Sequence, residues 1–417
     1  ESHTQFYAGH LRALHEGDPK HAVMSQFCGL APDRKEAGLD YLDMACRAPW
    51  DIFGTHDWPG DRPAVLSLYA ASMNRYAKLP HWEDEFIWSQ WETKGTPEPV
   101  MRAANERNLW RQIAYGKRGI ILFNLADEWA HTKPNNWNNS ILNVEVDYQI
   151  PRYSTGIFPV IERKVNAFKE AVLDTELANQ GVAILRPTTS SYGAAPNHTT
   201  RREASALASW LLPRHWMPFF VPEECILDGR EDMTAVRVLI APYATHVMAG
   251  LEESILAWVE AGGTLICSGP FGLFDEYGTP QGRLMARAMG IDQLDFSAQD
   301  GVWQIAKQSG RGNVRTIGEG VLEATYGQGK VWLSVAPLSK TAGLAALREP
   351  LLAALSVQPI TCDITEGLEL VLRRRDDGRH YLFATNLNPR QKVDTTVLLP
   401  GRCGEVVDLC VERSEEH

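Results

Sequence analysis

The sequence predicts an α/β protein, and three observations carry that prediction. Helical and strand-like patterns alternate from the first residues to about Leu125, they alternate again from Val182, and from Leu368 only strand patterns remain. Alternation with short connections marks parallel βαβ units, whereas a tail of strands alone marks a separate antiparallel module. A length of 417 residues allows two or three domains at roughly 150 residues each. Their limits are placed at 1–178, 179–360 and 361–417.

In the first segment, Phe6, Leu11 and Leu14 have helical spacing, and Gly17-Asp18-Pro19 stops that helix before an apolar run over Ala22 to Phe27. The pattern then predicts a helix over Leu39–Ala45, a strand over Trp50–Gly54, a helix over Pro63–Tyr76 and a strand over Glu85–Trp91. A helix over Met101–Tyr115 and a strand over Gly119–Leu125 follow. Four such strands make half of an eight-stranded barrel or most of a doubly wound sheet. The polar and aromatic run Asn135 to Ile150 reads as a long loop at a functional face, and a helix over Pro159–Leu177 leads to Gly181. The second segment predicts strands over Val182–Leu185, Val236–Ala241 and Thr264–Ser268, with helices over Ala204–Leu212 and Leu251–Ala261 between them. A strand over Gly329–Leu333 and a helix near Leu344–Leu355 close it. In the last segment, Asp377-Gly378, Asn388-Pro389 and Pro400-Gly401 separate strands over Leu368–Leu372, Tyr381–Asn386 and Thr395–Leu399.

Composition removes several functions. The net charge of −11 opposes a phosphate backbone, and the densest basic run, Arg373 to Arg375, meets Asp376 and Asp377 at once and reads as a solvated strand end, so no nucleic-acid partner is expected. No run of about eighteen apolar residues exists, so no membrane span is expected. Seven scattered cysteines without a C-x-x-C pair suggest a reducing, cytoplasmic setting and no zinc. Neither Gly262-Gly263 nor Gly327-Gln328-Gly329 makes a dinucleotide fingerprint, so no cofactor is expected. The chain starts at Glu1 directly in a helical pattern, which reads as a fragment.

The most informative stretch is Phe86-Ile87-Trp88-Ser89-Gln90-Trp91-Glu92-Thr93-Lys94-Gly95. An aromatic-rich strand runs into a carboxylate and then a glycine loop, and the C-terminal ends of barrel strands are where active sites are built. Trp88 and Trp91 suit the apolar faces of sugars, and an ionised Glu92 suits attack on an anomeric carbon; the plain alternative is a glutamate that starts a loop. After the strand over Gly119–Leu125 lies Glu128-Trp129-Ala130-His131, and after the strand over Trp50–Gly54 lie His56, Asp57 and Trp58 before Pro59-Gly60. Glu128 and His131 either grip hydroxyls, form loop structure or begin a metal pair, for which no third ligand stands nearby. Asp57 either lines the pocket or caps the turn. Thr264 to Gly269 has the outline of a nucleophile elbow around Cys267, but Leu265 replaces its first glycine, and a buried structural cysteine is the favoured reading.

The run Trp88 to Gly95, then Leu109 to Gly116 and Gly119 to Phe123, resembles the nucleophile region of glycoside hydrolase family 42, the β-galactosidases. Asp18 to Val23, Leu39-Asp40-Tyr41 and Asp51 to Pro59 resemble that family's fifth- and sixth-strand regions. The residues after Gly181 resemble its second domain, and the last fifty or so its small C-terminal domain. The resemblance implies the C-terminal half of a (β/α)8 barrel, an amidotransferase-like trimerisation domain and a small all-β domain. It implies a retaining exo-glycosidase, a β-galactosidase, with Glu92 as nucleophile and the Glu128-Trp129-Ala130-His131 segment on the hydroxyls of a small-molecule or oligosaccharide substrate, and Trp88, Trp91, Asp57 and Trp129 are expected around the same pocket. The acid/base glutamate would precede Glu1, with Glu1 itself the other candidate. A non-catalytic carbohydrate-binding or assembly protein on the same fold, and a retaining glycosidase of other sugar specificity, are the rival readings.

Overall fold

The computed structural model describes residues 2–28, 41–56, 63–87, 98–123, 169, 171–179, 181–193, 199–281, 284–299, 302–309, 314–317, 321–340, 343–355, 360–364, 367–388 and 392–399. Contacts divide the chain into one unit of residues 1–30, 43–178 and 360–417 and another of residues 31–42 and 179–359.

The chain opens with α1 (Ser2–Gly17), β1 (Phe27–Cys28), α2 (Tyr41–Arg47), β2 (Phe53–His56), α3 (Pro63–Ala77), β3 (His81–Ile87), α4 (Glu98–Ala114) and β4 (Gly119–Phe123). The four strands lie side by side in chain order, all parallel. Helices must therefore carry each return connection, as the alternating pattern requires. Ala8 and Leu11 of α1 pack with Ala48, whereas Phe6 and Leu14 of the same apolar set are exposed. Pro63 opens α3, where its missing N–H is not needed. Gly119 is required by contact: a Cβ there would collide with the Trp82 ring.

One expected strand starts earlier than its pattern indicates. The aromatic run predicts it over Glu85–Trp91, whereas the described strand β3 already begins at His81 and runs to Ile87, and Trp88 to Trp91 lie outside the described residues. His81, Glu83 and Asp84 look unlike strand interior, yet each is buried and paired with a side chain from another element. The helix expected over Pro159–Leu177 also fails at its end, because Thr175–Leu177 forms a strand, β5.

The second unit is a seven-stranded sheet. Its strands are β6 (Val182–Arg186), β7 (Phe219–Pro222), β8 (Val238–Pro242) and β9 (Thr264–Ser268), continued, beyond the hairpin named next, by β12 (Arg315–Thr316), β13 (Val321–Tyr326) and β14 (Gly329–Ser334). The hairpin is β10 (Gln293–Gln299) with β11 (Val302–Ser309), antiparallel and outside that sheet. The sheet order is β12-β13-β14-β9-β8-β6-β7, with β6 to β9 and β14 parallel. This is a doubly wound arrangement of the 2-1-3-4-5 kind with an antiparallel extension. Parallel strands covered on both faces need continuous apolar runs, and Val182 to Leu185 are fully buried. Helices α5 (Thr188–Gly193), α6 (Thr199–Leu211), α7 (Glu223–Leu227), α8 (Leu251–Glu260) and α9 (Leu284–Ala288) lie between strands. The helix expected near Leu344–Leu355 is two, α10 (Gly343–Ala346) and α11 (Arg348–Ala354). Pro350 has no N–H for the Ala346 carbonyl and its ring crowds that group, so one helix cannot run through.

Glu252, in the first turn of α8, is 4% exposed, and its Oε1 has no hydrogen-bond partner among the described residues. Burial first, and then the Glu253 charge, push its carboxyl up to about 8 from an ordinary 4.5. The fold therefore favours the neutral acid. That preference is fully present below pH 4.5 and is lost as pH rises through about 8. Glu252→Gln is expected to raise stability by about 1–2 kcal/mol at pH 8 and to change little at pH 4, as read by urea unfolding at both values.

The C-terminal strands are β15 (Thr361–Cys362), β16 (Leu368–Arg375), β17 (His380–Asn386) and β18 (Val397–Leu398). β16 lies between β17 and β5, antiparallel to both, and β15 pairs with β18. Arg373 corrects the reading of its basic run as solvated: it is 3% exposed. Its Nη1 donates to the Ala114 carbonyl at 3.0 Å, capping α4, and its Nε to Thr175 Oγ1 at 2.7 Å. Arg111 of α4 donates from Nε to both carboxylate oxygens of Glu369, each at 3.0 Å.

Candidate active site

Strand alternation assigns the two faces of the β1–β4 sheet. Phe86 and Ile120 pack with Leu109 and Ile113 of α4 and with Val172, so their face is the helix-covered one. Thr55 pairs with Glu83, and Glu83 with Ile120, which puts both on that covered face. Their neighbours His56, Trp82, Asp84 and Ile121 belong to the opposite face. Ile121 is 39% exposed there.

Each face carries buried polar groups. On the covered face, Lys117 ion-pairs with Glu83 and also donates to the Thr55 carbonyl at 3.2 Å, with both charged side chains enclosed. Thr55 Oγ1 and His81 Nε2 are 2.9 Å apart. Burial, and secondly the Lys117 charge, hold the His81 imidazole well below its ordinary pKa, so it is neutral. On the opposite face, His56 Nδ1 lies 2.9 Å from Asp84 Oδ1, both side chains buried. The register of β3 shifts between Glu83 and Phe86, a bulge at the level of that pair.

Strands β2, β3 and β4 are described as far as His56, Ile87 and Phe123. Asp57 follows β2 directly, Trp88, Trp91 and Glu92 follow β3, and Glu128, Trp129 and His131 follow β4. All seven lie outside the described residues, so what is placed is the strand that each one follows. Loops after parallel strands share one edge of a sheet, and that edge is where α/β enzymes bind ligands.

Sequence reasoning singled out His56 but missed Asp84, Glu83 and Lys117. The available signal was three consecutive acids, Glu83 to Glu85, beside an aromatic run. Among the described residues no group of three His, Cys, Asp or Glu side chains could hold a metal ion, and no helix is long and apolar enough to cross a membrane. Cys267 is fully buried at the end of β9, and burial pushes its thiol up, which matches a structural cysteine and not a nucleophile.

No family model matches the chain, and no curated protein matches it by sequence. Solved structures do. A β-galactosidase from Bacillus circulans sp. alkalophilus superposes with a TM-score of 0.69 at 15% identity, over 96% of this chain and 65% of that one. A catalytic mutant of a GH42 β-galactosidase from G. stearothermophilus gives 0.66 at 15% identity, over 92% of this chain and 60% of that one. The fold resembles that of GH42 β-galactosidases. An exo-β-1,4-mannosidase from Opitutaceae bacterium strain TAV5 is also similar, at a TM-score of 0.53 and 14% identity, over 84% of this chain and 69% of that one. The chain thus spans 65% and 60% of the length of the two β-galactosidases.

Proposed function

We propose that this chain is the C-terminal part of a retaining exo-glycoside hydrolase that removes terminal β-D-galactosyl units. The observation that supports the reading is the parallel β1–β4 sheet in a fold similar to GH42 β-galactosidases, its described strands followed in the sequence by Asp57, the Trp88–Glu92 segment and the Glu128–His131 segment in order. Residues 1–178 then supply strands five to eight of a (β/α)8 barrel. Residues 179–360 form an amidotransferase-like domain through which the protein forms a homotrimer, and residues 361–417 form a small β domain.

In this mechanism Glu92 attacks the anomeric carbon as the leaving oxygen takes a proton from a second carboxylic acid, held on the fourth barrel strand and outside residues 1–417. The glycosyl ester to Glu92 is then cleaved by water, which the second carboxylate deprotonates, and the configuration is retained. Retention needs the two carboxyl groups about 5–5.5 Å apart. Trp88, Trp91 and Trp129 offer ring faces to the sugar, and Asp57, Glu128 and His131 hydrogen-bond its hydroxyls. The likeness to an exo-β-1,4-mannosidase favours a second reading in which the same machinery acts on another terminal sugar.

The test is hydrolysis of a panel of nitrophenyl glycosides by the complete protein, with the anomer of the first product followed by NMR. Release of β-galactose before mutarotation is the expected result. Release of β-mannose selects the second reading, an α-anomer overturns the double displacement, and an inert panel from folded protein points to a carbohydrate-binding or assembly role.

A further inference from the structure

Nothing in the proposed mechanism uses the buried pair formed by His56 and Asp84. The pair stands on the face of the β1–β4 sheet turned away from α4, at the C-terminal end of β2 and beside the register shift of β3. Its side chains are 4% and 0% exposed. The chain makes room for it: a Cβ on Gly54 would sit 3.1 Å from Asp84 Oδ2 and would collide with the Ser25 carbonyl. Asp84 Oδ2 has no hydrogen-bond partner among the described residues. A carboxylate taken out of water with half of its acceptors unused is costly. A pair that served packing alone would be served as well by apolar side chains.

The geometry points to His56 as a further sugar-contacting residue of the proposed active site, with Asp84 as its positioning residue. This rests on the glycosidase reading. The contact of Nδ1 with Asp84 Oδ1 at 2.9 Å settles the ring's protonation pattern, because a carboxylate only accepts and Nδ1 must therefore carry the proton. A contact from His56 to a ligand hydroxyl then runs through Nε2. Asp84 also fixes the ring plane, as a carboxylate behind an imidazole does in metal and hydrolase sites. His56 is adjacent in sequence to Asp57, which the proposed site already includes. The opposite, helix-covered face offers a contrast: there Glu83 has Lys117 and His81 has Thr55, a set of contacts that ties strands together.

The experiment uses the complete protein labelled with [15N]histidine, with the His56 signal assigned by its loss in His56→Gln. In the wild type without sugar, Nδ1 is expected to carry the proton. Saturating galactose is expected to shift the His56 Nε2 resonance, and Asp84→Asn is expected to lower kcat/KM on nitrophenyl β-galactoside by about 10–100-fold while the thermal midpoint moves by only a few degrees. A protein that binds galactose with the His56 resonances unmoved, or an Asp84→Asn variant with unchanged kcat/KM, overturns this inference and leaves the glycosidase reading standing. A folded wild type that neither binds nor hydrolyses any sugar of the panel overturns both. The ligand shift in the wild type is the deciding readout if Asp84→Asn fails to fold.

Discussion

Glu92→Gln in the complete protein is expected to lower kcat on nitrophenyl β-galactoside on the order of 10³-fold or more, with the far-UV circular dichroism spectrum and thermal midpoint unchanged. The amide keeps the size of the carboxylate and removes the charge that attacks the anomeric carbon, so the covalent half of the double displacement cannot begin. A companion variant separates a nucleophile from an acid/base. In Glu92→Ala, added azide can occupy the vacated side of the sugar and displace an activated leaving group directly, giving an α-galactosyl azide by a single inversion. A β-azide, formed by attack on an intact glycosyl-enzyme, would instead make Glu92 the acid/base. Full activity in Glu92→Gln would remove this residue from the mechanism altogether.

Lys117→Met is expected to cost about 3–5 kcal/mol of stability, the largest single effect in the first unit. Lys117 and Glu83 are enclosed, at 0% and 1% side-chain exposure. Deleting the ammonium leaves a buried carboxylate without its ion-pair partner and also removes the donor to the Thr55 carbonyl. The ion pair spans from β3 to the turn before β4, and the second bond reaches β2, so three strands lose a common tie. Adding Glu83→Gln to Lys117→Met should recover a substantial part of the loss, because the second charge is then absent as well. The measurement is urea unfolding of both variants at pH 7.5. That pH lies above the ordinary histidine value of 6.5, so His81 is neutral in both states. Below 6.5 the unfolded chain takes up a proton that folded His81 refuses, and stability falls with pH for that separate reason. A loss below about 1 kcal/mol in Lys117→Met would mean that water reaches the pair.

The candidate site is partly legible in the amino-acid sequence. The start of β4 at Gly119 is where the pattern predicts it, because the Tyr115-Gly116 turn interrupts the chain just before the apolar run begins. The partner of each polar residue is not legible there. His56 and Asp84 are 28 positions apart and meet only because β2 and β3 lie parallel in one register. Arg373 reads as solvated because its neighbours are charged, and it is buried because the end of α4 and Thr175 both accept from it. The β10–β11 hairpin does carry a local signal, the Asp300-Gly301 pair between two alternating runs.

The alternation of helix and strand in the first two segments, and hence an α/β protein with parallel strands, follows from the sequence alone, since period and punctuation are local properties of the chain, whereas the strands Phe219–Pro222 and Val321–Tyr326 are not among its predictions. The tertiary structure alone decided that Thr175–Leu177 joins the C-terminal strands in one sheet, and that His81, Glu83 and Asp84 are strand residues. Those outcomes depend on side chains supplied from distant positions. A buried charge or imidazole is tolerated only where its partner is delivered, and no local pattern records where that partner comes from.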